Sequence, residues 1–381
     1  MDSNQSDVRP PAPIRPVSVL INALHAKTGG GRTYLRHMAP RLAALEGLEV
    51  TVLLHRSQAA LIDELRGRVA IETVDYADGF LRRLIWEQLS LPTRAKRLGA
   101  DVVFSPANFG PLRVERSVIL LRNALDVAKI ERRPGKRLYW WALGLMTRAS
   151  LKRAKRSIAV SAYAAGALMR KSSEEARRRL RLVHHGVDPL FSPAPVPREP
   201  FLLFVGDLYV QKNLEPLIEA FAGLVSAGRP EDLWIAGSAV DQAYAQDMRN
   251  LVAERGMENR VRFLGQVEPP ALADLYRRCR LFVFPSLVET FGNPLVEAMA
   301  CGAAVAASRA AAMPEILGGA GRLFNPKDAR DMANVIGNLL DDEAALADYR
   351  AKSLKRAAFF SWDACAERTA EVLRAAARDE P

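Results

Sequence analysis

Apolar and polar positions along the chain fall into two periods that alternate from end to end. Short β-branched and apolar runs suit strands: 17–23 (VSVLINA), 50–54, 69–74, 102–105, 118–121 and 157–160 in the first half. Between them, stretches with apolar residues three and four apart suit amphipathic helices, at 33–45, 61–66, 81–98 and 136–155. A second series starts at Phe201, with strand candidates FLLFVG, 233–236, 261–264, 281–284 and 304–307, and helices over 214–227, 243–254, 270–278 and 295–300. Strands that are apolar on both faces and separated by helices predict parallel sheets covered on both sides.

HHGVDPLFSPAPVPREP lies between the two series, rich in proline and poor in periodic signal, and reads as a linker. The expected organisation is therefore a polar, disordered leader (1–16), a first Rossmann-like domain (17–185), a linker (186–200), a second Rossmann-like domain (201–362) and a final helix (363–381) crossing back to the first domain. Two doubly wound sheets facing each other leave a cleft between their carboxyl ends, where small molecules bind.

The length of 381 residues accommodates two cores, and 49% hydrophobic with 25% charged residues is a globular composition. Cys279, Cys301 and Cys365 form no close pair, which argues against a disulfide framework or a cysteine zinc site and for a reduced cytoplasmic setting. No apolar run approaches the roughly 18 to 20 residues that span a bilayer. Charge changes the picture more. Of the net +11, residues 1–195 carry +16 and residues 196–381 carry −5, so the first half is expected to face an anionic partner. Within it, 136–156 (KRLYWWALGLMTRASLKRAKR) interleaves Tyr139, Trp140, Trp141, Leu143 and Met146 with seven basic residues. A helix of this kind suits either an anionic lipid surface or a packed core face with a solvated basic side.

Three stretches carry candidate chemistry. FPSLVETFGNPLVEAMACG sets Glu289 and Glu297 around a turn at the carboxyl end of a strand, with Asn293 as the expected N-cap and Pro294 opening the helix. Each carboxylate offers two acceptors that suit a vicinal diol; each also suits the positive end of a helix without any ligand. In GDLYVQKNLEPLIEAF, Asn213 is the expected N-cap and Lys212 stands at the positive end of a helix, where a cation is unfavourable unless an anion joins it. Gly206 admits close approach of the backbone, so the loop suits a phosphate. HAKTGGGRTYL offers the amides of Gly30 and Gly31, but matches neither a dinucleotide fingerprint nor a Walker loop. His25 and His185 border the expected cleft. No sequence pattern for a metal site is present.

Together these stretches resemble the retaining, nucleotide-sugar-dependent enzymes of glycosyltransferase family 4, which have the GT-B fold. VETFGNPLVEAMACG resembles the family's Glu-x7-Glu signature, GDLYVQKNL its phosphate loop, HHGVDPLFSP its linker motif, TGGGRTYL its amino-terminal glycine loop and FSWDACAERTAEVLRAA its closing helix. The resemblance implies a hexosyltransferase that needs no metal and no cofactor beyond a GDP- or UDP-linked sugar donor. Glu289 and Lys212 are then the catalytic candidates. Glu289 would meet the sugar hydroxyls, and Phe291, Gly292 and Asn293 would supply backbone contacts, with Pro294 and Leu295 completing that wall. Glu297 would bind the ribose, and Lys212, Gly206 and Asn213 the diphosphate, with Gly30 and Gly31 facing them. Two positions depart from the family pattern. Asp207 follows the loop glycine, and VILLRNALDV replaces the usual His-Asp pair, so that Arg122 and Asn123, with His25 and His185, are the acceptor or cleft candidates.

The leading expectation is transfer of a hexose, mannose or a related sugar, to a lipid-linked or polysaccharide acceptor such as a lipopolysaccharide, on the inner face of the cell membrane. The alternatives are a sugar-nucleotide epimerase or a phosphorylase on the same fold. A nucleic-acid partner is suggested by the basic half alone and is disfavoured by the lack of any recognised motif.

Overall fold

In the computed structural model, residues 15–27, 29–123, 125, 134–170 and 172–379 are described, with residues 134 and 136 as backbone only. The expected disordered leader lies outside them except for residues 15 and 16, as do parts of VILLRNALDV.

Seven strands form the first sheet: β1 (Val17–Asn22), β2 (Leu48–His55), β3 (Ala70–Val74), β4 (Val102–Ser105), β5 (Ser117–Leu121), β6 (Arg156–Ala159) and β7 (Leu180–Leu182). Their order is β3-β2-β1-β4-β5-β6-β7, and every pair is parallel. The second sheet holds β8 (Glu199–Val205), β9 (Asp232–Ala236), β10 (Val261–Gly265), β11 (Cys279–Phe284), β12 (Val305–Ser308) and β13 (Arg322–Phe324), in the parallel order β10-β9-β8-β11-β12-β13. Strand order reverses direction at β1/β4 in one sheet and at β8/β11 in the other. Those switch points open crevices beyond the strands' carboxyl ends, and Asn22, Ser105, Gly206 and Pro285 lie there.

β4, β5 and β6 are buried along their whole length, which is why they read as unbroken apolar runs. β7 and β13 carried no such signal: each is three residues long, lies at a sheet edge and is partly exposed. The helix expected at 81–98 is two, Phe80–Leu89 and Leu91–Arg97. Pro92 explains the break, since it has no N–H to give and crowds the carbonyl four residues back. The helix expected from Thr33 begins at Gly29, so the glycine run is its first turn and not a preceding loop. Glycine is tolerated there because first-turn amides have no intrahelical partner to lose.

A buried apolar cluster runs without a break from β1 through Phe360 and Trp362 to Phe291 and β12, so the two sheets share a core across their junction. The closing helix, Trp362–Ala377, packs on the first sheet and on helix Gly29–Ala43. Where it starts, the linker passes so close that a Cβ on Gly186 would lie 2.1 Å from the Trp362 nitrogen. Val187 N donates to Phe360 O at 3.0 Å beside it.

Candidate active site

The second domain contributes a lysine and two glutamates. After β8 the chain turns through Gly206 and a short 3-10 turn, Val210–Lys212, into helix Leu214–Ser226. Lys212 is 6% exposed, and its Nζ donates to Glu289 Oε1 at 2.7 Å. The ammonium also lies 5.6 Å from the centre of the Tyr209 ring and 5.5 Å from that of Phe284. Burial opposes its charge, but Glu289, Tyr209 and Asp207 more than offset that, and the ammonium is held above its ordinary pKa. The anion that a lysine needs in this position is thus present in the protein, as the Glu289 carboxylate.

Asn213 departs from expectation. It is left-handed (φ 59°, ψ 44°) and makes no capping bond; its Nδ2 donates to Pro285 O at 3.1 Å and Pro326 O at 2.7 Å. The helix amide of Leu214 finds Tyr244 Oη instead, at 2.9 Å. Asn213 therefore fastens the loop after β8 to the ends of β11 and β13, a task that its short amide side chain and tolerance of left-handed backbone allow.

The loop after β11 holds the rest. Gly292 (φ 84°) is the N-cap of helix Asn293–Ala300, so Asn293 is the first helical residue and not the cap. Phe291 is buried against His184, His185 and Phe360. Leu295 is fully buried and its amide donates to Gly292 O, while Pro294 has no amide to offer. These three residues frame the wall beside Gly292, Asn293 and the glutamates.

Glu289 and Glu297 occupy separate surroundings. Glu297 accepts from Tyr276 Oη at 3.1 Å. Burial pushes its carboxyl up to about 7, against that hydrogen bond; the Asp188 carboxylate adds to the rise and Arg36 opposes it. It lines a cavity of about 140 Å³ together with Thr33, Arg36, Asp188, Asn293 and Trp362. Both domains and the linker thus wall this cavity.

From the first domain, Gly30 approaches Asn293 so closely that a Cβ there would lie 3.8 Å from Asn293 Nδ2. Gly31 packs under the Arg122 guanidinium, 3.0 Å from the same construction. Arg122 is half-buried, and that burial lowers its pKa to about 10. Its carbonyl accepts from Thr290 Oγ1 and its amide donates to Asn108 Oδ1. Asn123, exposed, donates its own amide to the same Asn108 oxygen at 2.9 Å. His25 is held neutral, its pKa lowered to about 3 by burial and by Arg122 and Arg83. His185 likewise falls to about 3 through burial and Arg122; it packs among Tyr34, Phe291 and Trp362, with Nδ1 3.5 Å from Asn293 Oδ1. It is an aromatic spacer of the junction that touches the cleft at one edge.

The structure thus brings Lys212, Glu289, Asn293, Gly30, Gly31 and Arg122 to facing walls of one cleft. Residues that the sequence reading missed are Tyr276, Tyr209, Asn108, Arg36 and Asp188. Asp188 and Tyr209 sit in the quoted HHGVD and GDLYVQKNL stretches, so their positions held a signal; Arg36 and Tyr276 are single residues inside helices, and Asn108 lies in the loop after β4. Among the described residues, no group of three or more His, Cys, Asp or Glu is arranged to hold a metal ion.

Two facing parallel α/β domains with their switch points across a cleft define the GT-B architecture. Comparison with solved structures agrees: Anabaena Alr3699/HepE, solved with UDP and glucose, superposes with a TM-score of 0.76 over 94% of this chain and 100% of its own, at 20% identity. Two family profiles match in series, Glycosyltransferase Family 4 over residues 28–190 and Glycosyl transferases group 1 over 199–342. The Escherichia coli O-antigen chain mannosyltransferase B is 29% identical over 91% of this chain and 96% of its own. The E. coli serotype-specific mannosyltransferase WbdA is 34% identical over 42% of this chain, a match that spans only 20% of WbdA. The chain belongs to glycosyltransferase family 4.

Proposed function

We propose that the protein is a retaining hexosyltransferase that moves mannose or a related sugar from a GDP- or UDP-linked donor to a glycan or lipid-linked acceptor in polysaccharide or lipopolysaccharide synthesis. The observation that carries this reading is the buried Lys212–Glu289 pair at the β8/β11 switch point. On this reading the donor diphosphate takes Lys212 as its counter-ion, and Glu289, released from the lysine, accepts from hydroxyls of the transferred sugar. Glu297, already fixed by Tyr276, accepts from the ribose diol. The leaving diphosphate gains charge as the glycosidic bond breaks. Lys212 and the first-turn amides of helix Gly29–Ala43 stabilise it, so that no metal is required. The leaving phosphate oxygen accepts the acceptor's proton on the same face of the sugar, which gives retention.

We also propose peripheral attachment to the inner face of the membrane. No helix of the described residues is long and apolar enough to cross a bilayer. Helix Pro134–Arg153 exposes Leu138, Tyr139, Trp141 and Leu145, and its sequence contains no acidic residue. Helix Phe80–Leu89 exposes Leu81, Ile85 and Leu89 and joins it through a Phe80–Tyr139 ring contact at 5.1 Å. Apolar stripes among arginines suit an anionic lipid surface.

A thermal-shift series with GDP-mannose, UDP-glucose and other nucleotide sugars tests the donor reading, since a ligand bound only by the native state raises its stability. Incubation with donor alone separates transfer from epimerisation. Absence of any nucleotide-dependent shift would refute the donor site.

A further inference from the structure

Glu315 belongs to helix Met313–Leu317 of the second domain, yet its carboxylate reaches the first. Oε1 accepts from Ala162 N at 2.9 Å, with His184 Nε2 3.0 Å away, and Oε2 accepts from Tyr163 N at 3.2 Å. Those two amides open helix Ala162–Met169, and Ser161 caps the one that follows: Ser161 Oγ accepts from Ala164 N at 2.9 Å. The Ser161 hydroxyl in turn donates across the domain boundary to Thr290 O, and Thr290 Oγ1 donates back to Arg122 O. Thr290 is thus held at its carbonyl and its hydroxyl by residues that follow β6 and β5. Its neighbour Glu289 is tied to the helix that carries Glu315, because Ala312 N donates to Glu289 O at 3.3 Å.

First-turn amides of a helix have no partner within it, and an anion placed there is stabilised by direct N–H bonds and by the helix dipole. A helix ordinarily takes that group from its own cap, as Ala164 takes Ser161. Helix Ala162–Met169 also takes one from the other domain, so this stabilisation exists only while the domains touch. Burial opposes the charge on Glu315, but His184 and the amides of Ala162 and Tyr163 outweigh it and hold the carboxyl below its usual pKa. The carboxylate uses both oxygens; a glutamine would offer one and turn its NH2 toward a backbone N–H. The bonds at Thr290 carry the same condition to the donor side of the cleft. When the domains part, Thr290 loses Ser161 and Arg122 together, and the segment that bears Glu289 keeps only its second-domain contacts.

We propose that Glu315, Ser161 and Thr290 form a latch that holds the cleft closed and, by holding Thr290, sets the position of the Glu289 carboxylate. All three are positioning residues that act through Glu289. The inference rests on the glycosyl-transfer reading and deepens it. A nucleotide can engage Lys212 on the second domain alone, whereas the sugar-facing carboxylate takes its place only when the latch is made.

The test uses the full chain with the variants Thr290→Val, Thr290→Ser and Glu315→Gln. Hydrogen exchange at the amides of Ala162 and Tyr163, read by mass spectrometry, reports the opening of the latch, since exchange scales with the open population. Thr290 bonds to neither amide, yet Thr290→Val is expected to speed their exchange about fivefold, the scale of one neutral hydrogen bond. Thr290→Ser keeps the hydroxyl and is expected to exchange as the wild type does. Isothermal titration with GDP, GDP-mannose, UDP and UDP-glucose separates the nucleotide from the sugar. In Thr290→Val and Glu315→Gln the bare nucleotide is expected to keep its wild-type affinity. The nucleotide sugar is expected to bind about tenfold more weakly, as loss of a hydrogen bond to a charged group predicts. Glu315→Gln decides by that ratio if Thr290→Val fails to unfold cooperatively. Wild-type exchange in Thr290→Val, or an unchanged ratio in both variants, overturns the latch. Failure of the wild type to bind either nucleotide overturns the donor reading instead, and exchange alone then decides the latch.

Discussion

The Lys212–Glu289 pair makes a prediction that a plain phosphate-binding lysine would not. With Nζ 2.7 Å from the carboxylate, the lysine is already paired before any donor arrives, and a diphosphate must compete for it. Replacing Glu289 by glutamine removes the competitor and a negative charge beside the bound phosphates. At a separation of about 5 Å and an effective dielectric of about 20, that repulsion is roughly 3 kcal/mol; screening brings it to about 1 to 2 kcal/mol, or 5- to 30-fold in affinity. Glu289→Gln should therefore bind GDP or UDP more tightly than the wild type while losing transfer activity. Lys212→Met should weaken the same nucleotide about 10- to 100-fold, the scale of a hydrogen bond to a charged group. In the double variant the gain from Glu289→Gln should largely vanish, because the lysine it frees is gone. Isothermal titration of the four proteins gives the complete cycle. Equal or weaker nucleotide binding by Glu289→Gln, with Lys212→Met unaffected, would refute the competition and the lysine's role together.

Three further outcomes are expected. Glu297, with its pKa raised to about 7, holds its proton more tightly when folded than unfolded, so its contribution to stability is lost as pH rises from about 4.5 to 7. Glu297→Gln should flatten that part of the ligand-free stability curve by about 3 kcal/mol and leave stability near pH 4 unchanged, as followed by urea unfolding; a parallel shift at all pH values would contradict it. Gly186→Ala drives a Cβ into the Trp362 backbone and should cost about 3 kcal/mol or more, seen as a lowered unfolding midpoint in denaturant; a wild-type midpoint would mean that the junction yields. The double substitution Ile85→Ser with Trp141→Ser removes apolar groups from both exposed stripes and should reduce flotation with vesicles containing phosphatidylglycerol about tenfold. Flotation equal to the wild type would remove these helices from the membrane contact.

Most strands were legible because parallel strands in a two-sided sheet are apolar throughout, as in VVFS of β4 and SVILL of β5. The edge strands β7 and β13 were not, since an edge needs no apolar run. Helix ends were misread where glycine or asparagine stands. Gly29–Gly31 looked like a loop because glycine is a poor helix former in isolation, yet packing against Arg122 and Asn293 holds the turn. Asn213 and Asn293 looked like caps because local preference favours them there. Long-range bonds to Pro285 and Pro326 set the first, and the left-handed Gly292 displaces the second. Lys212 and Glu289 were each visible as residues out of place or well placed. Their mutual contact spans 77 positions and no local pattern carries it.

The chain crosses between the domains twice, once through the linker and once on its return to helix Trp362–Ala377, and the crossings are fastened together at Gly186, Val187 and Phe360. Two strands of chain pinned side by side behave as a pivot. They permit the domains to swing and twist about that point and resist sliding. A change in the opening of the cleft would therefore be a rotation about Gly186. A small rotation there would be magnified at the cleft mouth.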